Sequence, residues 1–220
     1  MEEFTALGSG FHLALRDLEI RGAGNLLGSK QHGFIEEIGF DLYCRLLDEA
    51  VAELKGEEIS EEVDTKLALD CDLYVPEGYI PDKDLRVDLY RRLADAIDYG
   101  NVDSIFEETA DRFGKPPETV ANLFEMSKIR IAARKLGLSR VSLKGEKILA
   151  EFSSGKQITR NMVAGLVKAV SQRIEFYSTE NFQMDISLDG LRGKNGLSAV
   201  TEIIRNMAAS LAPQKAESVL

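Results

Sequence analysis

The sequence predicts an α+β fold: a glycine-rich N-terminal motif and a long helix lead into a compact domain of helices and antiparallel strands. Three observations predict it. Apolar residues recur at helical spacing in some stretches and alternate in others, without regular βαβ alternation. The 220 residues are 44% apolar and 29% charged, enough for a real core. Residues 1–40 hold 7 of the 18 glycines, so the start of the chain is built differently from the rest.

Leu7 to Gly10 and Arg16 to Gly33 read as a shaped loop, because glycines at 22, 24, 28 and 33 interrupt any regular element while Leu26, Leu27, Phe34 and Ile35 stay apolar. From Phe34 to Leu54 the spacing of Ile38, Leu42, Leu46, Leu47, Ala50 and Val51 predicts a helix stopped by Gly56. The acidic run Glu57 to Asp64 reads as a linker, which divides the chain into 1–56, an acidic linker at 57–65, and a regulatory α+β domain at 66–220. Lys66 to Val75 alternates as a strand. Asp82 caps a helix expected to reach about Tyr99, with Leu85, Leu89, Leu93 and Ile97 as its inner stripe. Helices follow at about 101–113 and from Pro116-Pro117 to Leu136, closed by Gly114 and Gly137. Arg140–Leu143 and Lys147–Phe152 read as a hairpin. Thr159 caps a helix to about Ser171, Arg173–Tyr177 and Phe182–Leu188 pair as strands, and Leu197–Leu211 closes the domain as a helix.

Charge is unevenly spread. The formal net charge is −10, which argues against a uniformly cationic nucleic-acid or membrane binder. Residues 41–125 carry 9 basic and 23 acidic side chains, and residues 126–220 carry 15 and 8. Lys128, Arg130, Arg134, Lys135 and Arg140, continued by Lys144 and Lys147, form a candidate basic surface. A run of this kind also arises on a solvated face that balances an acidic neighbour.

Several chemistries are excluded by motif. The Gly-Lys pairs at 114, 155 and 193 are followed by Pro116, Gln157 and Asn195, so none completes a nucleotide phosphate loop. Gly22, Gly24 and Gly28 miss the dinucleotide spacing by one residue. Two histidines, His12 and His32, and two cysteines, Cys44 and Cys71, without a Cys-x-x-Cys pair, predict no metal site and no disulfide framework. Both thiols are expected to be buried and inert. There is no apolar run of about 18 residues, and the start lacks the features of a signal peptide. A cytoplasmic, non-membrane protein without catalysis of its own is the expectation. Arg16, Arg21 and Gln31 remain, polar groups beside a tightly turned loop and suited to phosphate; the alternative is an arginine that pairs with Asp17 or Glu19.

The stretch Gly8-Ser9-Gly10-Phe11, with Asp17-Leu18-Glu19-Ile20-Arg21-Gly22-Ala23-Gly24-Asn25-Leu26-Leu27-Gly28 and Gln31-His32-Gly33, resembles the translocation motif shared by bacterial transcription-repair coupling factors and branch-migrating fork helicases. The helicases usually have proline and glutamate at the positions of Ala23 and Asn25. Gly39 to Leu47, Tyr74 to Asp82, Leu89 to Leu93 and Asp111 to Pro117 are similar to the coupling factors specifically. The resemblance implies the C-terminal part of a DNA-translocating ATPase that displaces stalled RNA polymerase and recruits excision repair. ATP and Mg²⁺ would be held by the upstream motor, not by these residues. It further implies that Arg21 and Gln31, with Arg16 beside them and Gly22, Gly24 and Gly28 shaping the loop, couple ATP use to movement on double-stranded DNA. The last domain would clamp the N-terminal repair-recruiting module and hide it from the damage-recognition ATPase. A fork-helicase fragment and a free-standing nucleic-acid-binding module are the alternatives.

Overall fold

A computed structural model describes residues 65–69, 71–178, 181–188 and 196–211. The translocation-motif residues, the helix expected at 34–54 and residues 57–64 of the expected linker lie outside the described residues. The chain divides into two units. Among described residues one comprises 71–124 and the other 65–69 with 125–211.

The first unit is helical. Its leading residues, Cys71–Val75, complete the strand that the sequence predicts from Lys66. Strand β1 instead covers only Lys66–Ala68. Alternation from Cys71 to Val75 reports a side that packs inward, not a ladder: the Val75 N–H donates to the buried Tyr90 hydroxyl (2.7 Å) rather than to a neighbouring strand. Cys71 is accordingly half-buried, outside any strand. The Pro76 carbonyl accepts from Tyr79 and Ile80 (2.9 and 3.1 Å), closing a turn that drives Ile80 into the core.

Helix α1 runs Lys83–Ala94, and the Asp82 carboxylate caps it by accepting from the Asp84 and Leu85 amides. It stops well before Tyr99. Asp98 is itself a cap, accepting from the Asn101 amide (2.8 Å), and starts α2 at Tyr99–Phe113. Ile97 falls in the turn and is 79% exposed, while Ala96 is buried in its place. The capping carboxylate therefore overrides the apolar period. Arg86, 6% exposed, is satisfied by the carbonyls of Ile80 (2.8 Å) and Pro81 (3.0 Å). The Tyr79 hydroxyl donates to the Gly114 carbonyl (2.8 Å), and its ring meets Phe113 edge-on. Burial raises the Tyr79 pKa. Helix α3, Glu118–Leu136, starts on the Pro117 carbonyl, which accepts from Val120 and Ala121. The division between units falls inside it.

The second unit holds the sheet. Strands β2 (Leu138–Lys144) and β3 (Lys147–Phe152) form the expected hairpin, turning at Gly145 with φ +61. Helix α4 (Arg160–Ala169) is capped by Thr159, strands β4 (Ile174–Ser178) and β5 (Phe182–Ser187) follow, and α5 (Gly196–Ser210) packs on α4. The strand order is β1-β2-β3-β5-β4. Every pairing is antiparallel except β1 with β2, which is parallel, so the sheet is mixed. A parallel neighbour needs a long crossover, and here the chain between β1 and β2 includes residues 71–124 of the helical unit. Thr65, expected as the end of the linker, is buried, and its hydroxyl donates to the Leu138 carbonyl (2.7 Å), so the sheet unit begins at or before it.

One face of the sheet is a core. Val141, Ile148, Ala150, Phe152, Met184 and Ile186 are all buried on it. Phe182 touches Phe152 and Phe176 there, each with ring centroids 5.7 Å apart. Helix α5 buries Leu197, Val200, Ile203, Ile204 and Met207 at helical spacing.

Candidate functional site: the charged surfaces

The basic run 128–147 does not form one surface. Helix α3 is buried on every side from Ile129 to Ala133. Arg130 lies in that stretch and is only 5% exposed, which corrects its expected place on a basic surface. Lys128 is half-buried, with its ammonium 3.8 Å from the Glu125 carboxylate. Arg134 and Lys135 are exposed in the last turn, where cations suit the helix dipole. Gly137 ends the helix at φ +73. The Lys156 side chain lies over it, so close that a Cβ at Gly137 would sit 3.0 Å from the Lys156 ammonium.

The rest of the run belongs to the sheet. In a regular strand Leu138 and Arg140 would share a face. The register shifts between them, with Leu138 opposite Phe152 and Arg140 opposite Glu151. This bulge at Ser139 leaves Leu138 in the core and turns Arg140 out. From Arg140 onward the alternation is regular: Ser142 and Lys144 follow Arg140 on the open face. Parallel pairing then sets Lys66 beside Arg140 and Ala68 beside Ser142, and the hairpin sets Lys147 beside Lys144. Lys66 is thus a member of the cluster that no reading of 128–147 could include. The signal that would have found it is pairing of the short strand after the linker with the hairpin.

Carboxylates occupy the other half of the open face. Lys147 reaches Glu175 (3.6 Å) and Asp185 (3.9 Å), and Arg173 reaches Glu175 (2.6 Å). The Tyr177 hydroxyl donates to Glu175 (2.9 Å). That bond, then Arg173 and Lys147, lowers the Glu175 pKa below the usual carboxylate value. The same bond raises the Tyr177 pKa. Glu151 accepts from the Asn181 amide (2.6 Å). Lys66, Arg140 and Lys144 take part in no ion pair among the described residues.

The helical unit has the opposite sign. Residues 71–124 carry 12 acidic and 6 basic side chains. Asp103, Glu107 and Asp111 recur every fourth residue along α2 and are all exposed, forming one acidic ridge. Beside it Glu108 pairs in two-pronged fashion with Arg92 (3.1 and 2.5 Å), which lowers the Glu108 pKa. Among the described residues no group of histidine, cysteine and carboxylate could hold a metal ion, and no helix is long and apolar enough to cross a membrane.

These features define a class: a mixed-sheet α+β domain joined to a small acidic helical unit, with charge segregated on its surfaces. A family model for the TRCF domain matches residues 69–163. The chain is 44% identical over 136 residues to the transcription-repair-coupling factor of Bacillus subtilis, covering 61% of this chain and 12% of that protein. It is 33% identical over 214 residues to the transcription-repair-coupling factor of Myxococcus xanthus, covering 97% of this chain and 18% of that protein. Its fold is similar to the crystal structure of the C-terminal domain of a transcription-repair coupling factor, with a TM-score of 0.58 and 20% identity over 66% of this chain and 92% of that one. The chain belongs to the transcription-repair-coupling factor family, and its described residues carry the fold of that family's C-terminal domain. It spans less than a fifth of the length of either of these relatives.

Proposed function

We propose that the chain is the coupling and regulatory end of a DNA-translocating ATPase that removes stalled RNA polymerase at lesions and recruits excision repair. The similarity to a coupling factor along 97% of the chain carries this reading. In it, residues 1–56 complete the second motor lobe. Arg21 and Gln31, beside Arg16 and on the loop shaped by Gly22, Gly24 and Gly28, transmit lobe movement to the duplex. The motor upstream holds ATP and Mg²⁺, and this chain hydrolyses nothing. The remaining residues hold the N-terminal repair-recruiting module of the same protein until the motor engages.

The acidic ridge of α2 suits such a reversible clamp. A contact that must release on command is worth a few kcal/mol, and charge complementarity gives specificity and salt sensitivity without an obligate apolar interface. The test is calorimetric titration of the 220-residue chain with the separately expressed N-terminal module. Binding that weakens with salt, and falls at least tenfold in the Asp103→Asn, Glu107→Gln, Asp111→Asn variant, is expected. Binding indifferent to both would overturn the clamp. For the motif, Arg21→Ala or Gln31→Ala in the intact motor should lose translocation while keeping most ATPase. Equal losses of the two would remove the coupling role.

A further inference from the structure

We infer that the open face of the sheet on its β1–β2 side is a second contact for duplex DNA, binding sugar–phosphate backbone without reading sequence. The contact is built by register. Lys66 and Arg140 lie side by side at one end, and Lys144 closes the other, four residues along β2. At about 3.3 Å per residue this separates the two cationic ends by roughly 13 Å. Between them lies a row of two small side chains, Ala68 beside Ser142. The result is a shallow stripe with raised cationic ends, open to a close-lying backbone.

Charge selects the ligand. Lys147, next to Lys144, is drawn to Glu175 and Asp185, and Glu151, opposite Arg140, is bonded by Asn181. Lys66, Arg140 and Lys144 have no such partner among the described residues and stand exposed. Three solvated cations within one stripe exchange counterions for phosphates at little desolvation cost. Lysine and arginine without aromatic neighbours position a backbone but offer no platform for unstacked bases. The aromatic residue on this face, Tyr177, lies on β4 at the far edge and is held by Glu175. A duplex backbone fits better than a single strand. An acidic peptide would match the charge, but nothing on the stripe supplies the apolar pocket that anchors a peptide.

The test uses fluorescence anisotropy of a labelled duplex with the 220-residue chain over a series of salt concentrations. The Lys66→Ala, Arg140→Ala, Lys144→Ala variant should bind at least tenfold more weakly at low salt, with a log–log salt slope shallower by about 2.7, as three lost phosphate contacts require. A variant that removes equal charge elsewhere, Lys83→Ala, Lys115→Ala, Lys168→Ala, should bind as the parent does. Lys144→Ala alone should give a partial loss, and Arg140→Lys should retain binding, which separates charge from folding. Equal loss in both triple variants overturns the inference. So does absence of duplex binding at low salt, a preference for single strands, or capture of an acidic peptide at the stripe with the duplex left unbound. Arg21→Ala tests the motif separately. If it abolishes binding while the stripe variants do nothing, the motif reading survives and the stripe does not.

Discussion

Two neighbouring stretches of this chain are both basic in sequence and differ in fate. Residues 128–135 and 140–147 each carry a cluster of cations. The first lies on a helix buried on every side through its middle, so Arg130 is interior and Lys128 is paired. The second lies on strands with one covered face, so period two and one bulge send every cation outward. A charge cluster therefore has no surface meaning until the geometry of its element is known. A helix distributes neighbours around its whole circumference, whereas a strand sorts them into two sets.

The comparison can be broken first at the core beneath the second stretch. Ile148→Ala should destabilise by about 3 kcal/mol, because the methyls it removes are fully buried. Leu149→Ala, one residue on and facing the open side, should cost under about 1 kcal/mol. Urea melts of the two variants settle it, and similar losses would mean that the open face is not open. Arg130→Ala follows, at about 3 kcal/mol or somewhat less, since truncation leaves its buried surroundings unpaired. A loss under about 0.5 kcal/mol would return Arg130 to the surface and dissolve the contrast. Tyr90→Phe tests the segment that failed to become a strand. Leaving the Val75 N–H without its acceptor should cost about 1–3 kcal/mol.

Smaller effects sharpen the picture. Glu175 has a depressed folded pKa, so its contribution to stability is fully present above the ordinary glutamate value and is lost as pH falls through the depressed one. Glu175→Gln should flatten that part of the stability profile. Tyr177→Phe should move the Glu175 titration, followed by carboxyl NMR, back upward. Smallest of all, Arg140→Ala and Lys144→Ala should each change stability by under about 0.5 kcal/mol, so that any effect on DNA binding is not a folding effect.

Much of this was legible in the sequence because it rests on local chemistry. The hairpin turn, the Asp82 and Thr159 caps and the stops at Gly114 and Gly137 each arise from a residue acting on its own backbone neighbours. Non-local choices were hidden. Nothing within residues 66–75 reveals that only Lys66–Ala68 find a strand to pair with, or that this strand is parallel to its neighbour. The end of α1 was misplaced because Ile97 continues an apolar period that the Asp98 cap interrupts. The bulge at Ser139 has no compositional mark, and without it Arg140 would face the core. Of the candidate basic residues, Arg134, Lys135 and Arg140 are exposed, Lys128 is half-buried, Arg130 is buried, and Lys66 required the fold to be seen; the motif residues lie outside the described ones.

The hydrogen bond between Thr65 and Leu138 joins residues 73 positions apart. During synthesis at about 5–20 residues per second, β1 therefore leaves the ribosome roughly 4–15 seconds before the strand it pairs with. Residues 71–124 of the helical unit, with their own buried side chains, emerge entirely within that interval. They are complete before β1 can pair. The sheet edge that carries Lys66 cannot close until β2 has been made. A nascent chain cut short before residue 138 would keep the acidic ridge and lack the cationic stripe altogether.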